Sequence, residues 1–219
     1  MSKRWTSEWT SPLRPSSEDV AMFKNQLKPG DETLLLGVTQ ELQPLASLTI
    51  DNNPQVIENF RTKAVLGDWG NLPFESKFDA LIGDGCLTVF QGCPELFFEQ
   101  ARKALKPGGH LILRLFISPE RKESLQTVIS EKETNFHAFK WKVAHALANP
   151  YVPVKTLYEV IQPVWDHPTL DVYQNSDHIY YFPKLSELPP YDHIQFGSSY
   201  ELAERCPVVT WTFKHLSKL

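Results

Sequence analysis

The sequence predicts an α/β fold: a doubly wound, mostly parallel sheet of seven strands, with an antiparallel strand near the C-terminus and additional helices. The first indication is four short apolar runs, at residues 33–36, 48–50, 64–66 and 80–82, each of which ends at a glycine or an acidic residue. Continuous apolar runs of this length are typical of strands that are buried on both faces. The second indication is that helical patterns and turns alternate with these runs, as they do in βαβ units.

The elements of the N-terminal half have clear start and stop signals. Ser16 or Ser17 can cap a first helix, and Glu18 and Asp19 would lie in its first turn, where acidic side chains interact favourably with the helix dipole. Proline and glycine pairs end the first helix and the fourth one. The predicted helices cover residues 17–28, 40–46, 54–61 and 94–105, and the strands that complete this half cover 78–82 and 110–117.

The C-terminal half begins with a mostly helical region and ends with strand signals. The predicted helices cover residues 120–133, 136–147 and 154–164, and the strand signals cover 179–182, 193–200 and 208–213. The last two strands suit an antiparallel pair that closes an edge of the sheet. We therefore predict one domain, composed of an N-terminal arm and helix (1–30), a cofactor-binding core (31–118), a helical substrate or lid region (119–185) and a C-terminal strand pair (186–219).

Composition and charge exclude several classes of protein. The net charge is −4 and no long basic run is present, so a surface that binds nucleic acid is not indicated. The three cysteines are widely spaced, and none lies at metal-binding spacing from one of the seven histidines, so we predict neither a disulfide framework nor a metal site. The sequence has no signal-peptide pattern and no membrane-spanning run, which predicts a cytoplasmic protein.

Three acidic residues follow three of the predicted strands. Asp51, Asp68 and Asp84 lie directly after, or one residue beyond, the carboxyl ends of the second, third and fourth strands. Open α/β sheets bind their ligands at this edge. An acid at one strand end can simply cap the following turn, but three at successive strand ends favour a binding site. Because no glycine-rich loop for a phosphate is present, these carboxylates favour a ligand that carries hydroxyl groups and a positive charge.

The order of motifs resembles that of the class I S-adenosylmethionine-dependent methyltransferases. The segment LLLGVTQEL stands where that family has its glycine-rich first motif, and LTIDNNP resembles its segment with the ribose-binding acid. The segments LGDWGNLPFESKFDALIGDG and LKPGGHLILRLF resemble the motifs around the third, fourth and fifth strands. The resemblance covers residues 30–117 and implies a Rossmann-like methyltransferase fold, S-adenosylmethionine as cofactor and S-adenosylhomocysteine as product.

The resemblance also implies roles for individual residues. Asp51 would accept hydrogen bonds from the ribose hydroxyls, and Asn52 would contact the adenine. Asp68 would bind the adenine amino group, and Trp69 would offer its ring for stacking. The remaining expected cofactor residues are Gly37, Val38, Thr39, Asp84, Gly85 and Cys86. Asp84 is also the one candidate for a catalytic base. We expect the methyl acceptor to be a small molecule.

The first motif departs from the family pattern, because it keeps one glycine and has Leu35 where an acid is usual. Glu41, Asp84 or the N-terminal arm could supply the missing contact to the cofactor's amine. Two other functions therefore stay open: a non-catalytic cofactor-binding or scaffolding relative, and a nicotinamide-dependent reductase. The reductase is disfavoured, because Gly37 and Asp51 lie 14 residues apart in a sequence without the GxGxxG motif, whereas a dinucleotide site has about 20.

Some side chains outside these motifs allow two interpretations. Arg114 lies in the apolar fifth strand, where it needs a carboxylate partner if buried, and a structural role is favoured over substrate binding. Trp5 and Trp9 either anchor the N-terminal arm or form part of a lid. Cys86 is expected to be a small buried residue rather than a nucleophile. Candidate substrate contacts in the lid region are Tyr151, Tyr158, Trp165 and His167.

Overall fold

The computed structural model describes residues 9–58, 63–131 and 134–216, and its centre is a sheet of seven strands. In chain order the strands of the molecule are β1 (Thr33–Leu36), β2 (Leu48–Asp51), β3 (Ala64–Leu66), β4 (Phe78–Asp84), β5 (Leu105–Arg114), β6 (Tyr151–Pro153), β7 (Ile179–Tyr181), β8 (His193–Gln195) and β9 (Val208–Thr212). The sheet has the order β3-β2-β1-β4-β5-β9-β8, and β6 and β7 form a separate hairpin.

The strand directions confirm the predicted doubly wound sheet. Strands β1 to β5 pair in parallel with their neighbours, and β9 pairs antiparallel with both β5 and β8. The strand β9 is therefore the one that runs opposite to the other six. All four residues of β1 are buried, as expected of a central strand that is covered on both faces. The predicted C-terminal antiparallel pair is likewise confirmed.

The helices begin at the signals that the sequence offers. They are α1 (Ser17–Gln26), α2 (Pro54–Glu58), α3 (Cys86–Val89), α4 (Pro94–Ala104), α5 (Leu125–Ser130), α6 (Phe136–Leu147), α7 (Val154–Ile161) and α8 (Phe213–Leu216). Ser16 caps α1, since its side chain accepts a hydrogen bond from the Asp19 amide while the Asp19 carboxylate accepts one from the Ser16 amide. Asn135 caps α6 in a similar way through the amides of His137 and Ala138.

Several predicted elements are shorter than expected. The predicted helix over 40–46 is a 3₁₀ turn, Gln43–Leu45, because Pro44 cannot take part in a longer helix. The predicted helix over 120–133 is reduced to α5, which begins after its cap at Ser124, and residues 132–133 lie outside the described part of the chain. The predicted strand over 193–200 is limited to the three residues of β8, and β5 begins five residues earlier than predicted, directly after α4.

The pairing of β6 with β7 in a hairpin was not predicted from the sequence, and neither were the short helices α3 and α8. The strand signal at 179–182 is correct, but its partner is β6, in which Val152 lies opposite Tyr180. A strand of three residues gives too short a pattern to be recognised in the sequence. Behind the hairpin lies an apolar cluster that includes Phe139, Trp141 and Phe182, so the region predicted as helical has a hydrophobic core of its own. Within the described residues, no helix is both long and apolar enough to cross a membrane.

Candidate functional site

A cleft of about 1240 Å³ opens at the carboxyl ends of β1, β2 and β4. Such a volume exceeds the roughly 300–1,000 Å³ of many small-molecule pockets, so the cleft has room for two ligands side by side. Eight of the ten cofactor residues expected from the sequence line it: Gly37, Val38, Thr39, Asp51, Asn52, Asp68, Trp69 and Asp84. The fold thus brings together side chains that are up to 47 positions apart, from Gly37 to Asp84.

The turn after β1 forms one end of the cleft wall that these eight residues make. Gly37 has a φ of +85°, a conformation that favours glycine, and its amide donates a 2.8 Å hydrogen bond to the carbonyl of Ile50. The indole of Trp69 donates to the same carbonyl at 3.2 Å and lies across Gly37, since a Cβ on Gly37 would be 3.3 Å from the ring. The one glycine that remains in the first motif is therefore required both by its backbone conformation and by the close approach of Trp69.

Asp51 lies at the end of β2, where the resemblance placed the ribose-binding acid. Its Oδ1 accepts a 2.8 Å hydrogen bond from the amide of Asn53, and Asn53 in turn accepts one from the amide of Gln55 at the start of α2. Asp51 consequently has the turn-capping function that was the alternative interpretation, and it also lines the cleft. The two functions are compatible, because a carboxylate has about four acceptor positions.

Asp68 and Trp69 follow β3 and form the next part of the wall. Asp68 is exposed, and its Oδ1 accepts a 2.8 Å hydrogen bond from the amide of Gly70. Trp69 is half-buried and meets Phe97 edge to face, with 6.5 Å between ring centroids. The indole is thus fixed at two points, whereas the Asp68 carboxylate is accessible to a ligand.

Asp84, at the end of β4, forms a buried ion pair with Arg114. Nε of Arg114 donates to Oδ1 of Asp84 at 2.6 Å, and the exposed fractions of the two side chains are 0% and 7%. The guanidinium also donates to the hydroxyl of Tyr200 at 3.1 Å and to the carbonyl of Pro12 at 3.0 Å, and it lies 3.8 Å from Asp19. Burial raises the pKa of Asp84, and the attraction of Arg114 opposes that rise.

Arg114 therefore has the carboxylate partner that its position in the apolar fifth strand required. A proton added to Asp84 would leave the buried guanidinium with less compensation, which disfavours proton uptake by this carboxylate during a reaction. The geometry favours a positioning role for Asp84, whose position in the cleft wall is held by Arg114. Its assignment as the catalytic base stays a prediction.

Gly85 and Cys86, the two other expected cofactor residues, lie behind the cleft wall rather than in it. Gly85 has a φ of +63°, and a Cβ there would be 2.5 Å from the ring of Phe116. The thiol of Cys86 is buried and donates to the carbonyl of Leu36 at 3.3 Å. Burial raises the pKa of this thiol well above its usual value, which agrees with the expectation of an inert cysteine.

The opposite wall of the cleft consists of residues that the sequence did not single out. Most of them belong to the segments 89–92 and 169–180, and the aromatic members are Phe90, Tyr173 and Tyr180. Gln91 joins the two segments, because its side chain accepts from the Ile179 amide at 3.1 Å and donates to the Ile179 carbonyl at 3.2 Å. The glutamine–backbone pairing joins positions 88 residues apart, so no local sequence pattern indicates it.

The candidate substrate contacts of the lid region lie elsewhere. Tyr151 is exposed and stacks on Tyr181, with 5.0 Å between the ring centroids. Trp165 and His167 line a separate depression of about 490 Å³, in which His167 stacks on Phe136 at 3.8 Å. Tyr158 packs at the edge of the apolar cluster behind the hairpin. Within the described part of the molecule, none of these four side chains lines the cleft. Two other tyrosines of the same region, Tyr173 and Tyr180, line it instead.

The N-terminal arm reaches the cleft. Trp9 and Leu13 are part of its lining, and the carbonyl of Pro12 accepts a hydrogen bond from the buried Arg114. Trp5 lies outside the described residues. The arm is thus anchored on the domain, which agrees with its interpretation as an anchor. The same contacts place the indole of Trp9 at the cleft, where a lid would have to lie. No cluster of histidine, cysteine or acidic side chains suited to a metal ion occurs among the residues that the structure describes.

Comparison with known proteins agrees with this geometry. Residues 33–113 match the family model of the methyltransferase domain. No curated protein matches the chain. The matched segment contains β1 to β4, all of β5 except its last residue, and all of the expected cofactor residues, so the resemblance inferred from the motifs is confirmed.

Solved structures show the same fold at low sequence identity. An S-adenosylmethionine-dependent methyltransferase of Methanosarcina mazei matches with a TM-score of 0.58 and 16% identity, over 91% of this chain and 98% of its own. One of Thermotoga maritima matches with a TM-score of 0.55 and 17% identity, over 88% and 86%. A protein of Rhodobacter sphaeroides that carries the name of zinc-dependent alcohol dehydrogenases matches with a TM-score of 0.61 and 12% identity, over 90% and 89%. At these identities the likeness establishes the fold alone.

Proposed function

We propose that this chain, whose residues 33–113 match the family model of the methyltransferase domain, binds S-adenosylmethionine and transfers its methyl group to a small-molecule acceptor. The observation that carries the proposal is the convergence of the Gly37 turn with Asp51, Asp68 and Asp84 on one cleft. The cofactor needs acceptors for two ribose hydroxyls, for an adenine amino group and for a positively charged amine. Three carboxylates at three successive strand ends of the sheet edge meet these needs.

The residues present fit the cofactor in charge and in shape. Asp51 lines the cleft at the end of β2 and is suited to the ribose, and the exposed Asp68 is suited to the adenine amino group. Asp84 is suited to the amine of the methionine part, which compensates for the absence of an acid at Leu35 in the first motif. The indole of Trp69 narrows the cleft beside Gly37 and would exclude water from the ligand there.

Bound S-adenosylmethionine supplies an electrophilic methyl group on a positively charged sulfur. The contribution of the protein to an in-line displacement is chiefly alignment of the acceptor with that group. The opposite wall of the cleft, with Phe90, Tyr173 and Tyr180, would provide the surface for the acceptor. A cleft closed by side chains from both halves of the chain and by Trp9 suits a small acceptor better than a polymer.

Titration calorimetry of the purified full chain with S-adenosylmethionine and S-adenosylhomocysteine tests the cofactor assignment. We expect saturable binding of one molecule per chain, and no binding of NADH or NADPH. A folded protein that binds neither adenosyl compound would contradict the proposal. Binding without methyl transfer to any member of a panel of phenols, amines and thiols would favour the non-catalytic scaffold.

A further inference from the structure

Helix α6 carries a lysine in an unusual position. The side chain of Lys140 is fully buried, and its Nζ donates a 2.8 Å hydrogen bond to the hydroxyl of Tyr173. The same nitrogen lies 4.2 Å from the ring centroid of Trp141 and 5.0 Å from that of Tyr173. A lysine is almost never fully buried without a charged partner, so this arrangement calls for an explanation.

No carboxylate neutralises this amine within the described part of the chain. Burial is the single cause of its lowered pKa, which falls to about 7, and the titratable group in contact with the amine is the phenol of Tyr173. Near neutral pH the neutral amine is therefore well populated, and a neutral lysine amine is a base. Burial raises the pKa of the Tyr173 hydroxyl, so this phenol keeps its proton and can pass one on without ionising.

The amine is connected to the cleft through two phenols. The hydroxyl of Tyr173 accepts the hydrogen bond from Lys140, and the ring of Tyr173 meets that of Tyr180 edge to face, with 6.3 Å between the ring centroids. Tyr173 and Tyr180 both line the cleft, and each is 8% exposed. This row of three neighbouring side chains thus begins at the cleft, where a ligand can touch it, and ends at a base that solvent does not reach.

A row of aromatic side chains connects Tyr180 with the residues that follow β4. Phe116 is in contact with Gly85, next to Asp84, and its ring centroid lies 4.8 Å from that of Trp141. The ring of Trp141 meets that of Tyr180 at 5.7 Å. In addition, helix α3, which begins at Cys86, packs beside β7, the strand that carries Tyr180. Tyr180 consequently lies on the side of the cleft where the proposed cofactor and its acceptor would meet.

We propose that Tyr180, Tyr173 and Lys140 form a proton relay for an aromatic hydroxyl acceptor. This inference rests on the proposed methyl transfer. As the acceptor oxygen forms its bond to the methyl carbon, the bond from that carbon to sulfur breaks and its electron pair stays on sulfur. The electron pair of the acceptor's O–H bond stays on oxygen, and the proton moves to the Tyr180 hydroxyl. Tyr180 passes its own proton to Tyr173, and Tyr173 passes one to Nζ of Lys140, which becomes an ammonium group. After the product leaves, the proton returns to solvent by the same route.

The aromatic lining of the cleft supports this class of acceptor. Trp9, Trp69 and Phe90 line it together with the two relay tyrosines, and aromatic rings pack well against such side chains. A phenol is a weak nucleophile until it loses its proton, so it needs a base. A thiol is more acidic than a phenol and intrinsically more nucleophilic, so it would gain less from the relay.

Nuclear magnetic resonance of the ligand-free full chain tests the relay without any turnover. Lysine labelled at Cε and tyrosine labelled at Cζ are followed from pH 5 to 10. We expect one lysine signal with a midpoint near pH 7, which is lost in Lys140→Met, and a Tyr173 signal that changes with the same midpoint. Lys155→Met, on the exposed face of α7, should leave that lysine signal unchanged. A Lys140 midpoint above 9, or a Tyr173 signal that is constant through it, would overturn the relay.

A kinetic series separates a relay from a merely structural role. With S-adenosylmethionine and phenols of graded acidity, we expect Tyr180→Phe and Lys140→Met to lower kcat by about 10²–10⁴-fold for the least acidic phenol, with a smaller loss for more acidic ones. Tyr151→Phe, an exposed tyrosine of the same hairpin, should show no such loss. An equal loss for every phenol would overturn the relay. Affinity for S-adenosylmethionine is measured separately, so failure of the relay is distinguishable from failure of the proposed function.

Discussion

Nε of Arg114 lies 2.6 Å from Oδ1 of Asp84, and this ion pair is shielded from solvent at the carboxyl ends of two central strands. The same guanidinium is hydrogen-bonded to Pro12 and Tyr200, which are 102 and 86 residues away in the chain. Arg114 therefore connects the arm, the sheet and the C-terminal segment at the wall of the cleft.

Arg114→Met should destabilise the protein strongly. Removal of the guanidinium leaves the buried Asp84 without its charge partner, and such losses cost about 3–5 kcal/mol at pH 7. In the variant the pKa of Asp84 would rise further, so the folded state would bind a proton that the unfolded state lacks, and the loss should shrink toward pH 5. Urea unfolding at both pH values measures the effect.

The matched control is Lys106→Met, which removes an ion pair with Asp79 that is 2.8 Å long but more than one-third exposed. Exposed pairs contribute about 0–1 kcal/mol, so this variant should stay close to wild type. Equal losses in the two variants would contradict the importance assigned to burial.

Gly85→Ala should destabilise the chain more than Gly108→Ala. Both glycines have positive φ, +63° and +84°, so both variants incur backbone strain of about 1–3 kcal/mol. A Cβ at Gly85 would also lie 2.5 Å from Phe116, whereas a Cβ at Gly108 has no neighbour within 4 Å. The difference between the two variants in thermal unfolding isolates the contact with Phe116. Replacement of Phe116 by leucine in Gly85→Ala should recover part of the loss, and no recovery would argue against that contact.

Asp51→Ala should weaken binding of S-adenosylmethionine by about 1.5–3 kcal/mol, roughly 10- to 150-fold in Kd, because hydrogen bonds to a charged group are lost. Asp51→Asn keeps an acceptor for the Asn53 amide and removes the charge, so it tests the site without loss of the turn. Asp166→Ala, at an exposed position away from the cleft, is the control for calorimetry. Unchanged affinity in a folded Asp51 variant would remove this residue from the site.

Lys140→Met should change how stability depends on pH. The amine binds its proton up to a pH of about 10.4 in the unfolded chain, but only to about 7 in the folded one. Between these values the unfolded state holds more protons, so the free energy of unfolding of the wild type should rise with pH, by at most about 1.4 kcal/mol per pH unit.

The methionine variant lacks this rise, and its free energy of unfolding at pH 6 should exceed that of the wild type by up to about 5 kcal/mol, since each unit by which the pKa is lowered corresponds to about 1.4 kcal/mol. Urea unfolding from pH 6 to 10 compares the two proteins. Parallel curves would show that Lys140 titrates normally in the folded state.

The sequence predicts the sheet and one wall of the cleft well, because those features are local. A buried strand that runs into Asp51 or Asp84 is a pattern of a few adjacent residues, and the parallel order of the strands then brings these ends together. Eight cleft residues could be predicted without any knowledge of contacts between distant parts of the chain.

The other wall could not be predicted, because long-range pairs create it. Gln91 contacts Ile179, and Val152 pairs with Tyr180, so the segments become neighbours only in the folded molecule. The burial of Lys140 in helix α6 likewise could not be predicted from the sequence. Nine of the twelve residues of α6 are buried, so the usual rule that a lysine faces solvent fails there.

The position of β9 between β5 and β8 has a consequence for biosynthesis. Strand β5 is complete at residue 114, but its outer edge is covered only when residues 208–212 have been made. During almost a hundred residues of translation, the outer edge of the apolar strand β5 has no partner strand. Open edges of this kind pair readily with other chains, so the ribosome-bound intermediate should need a chaperone more than the finished protein does.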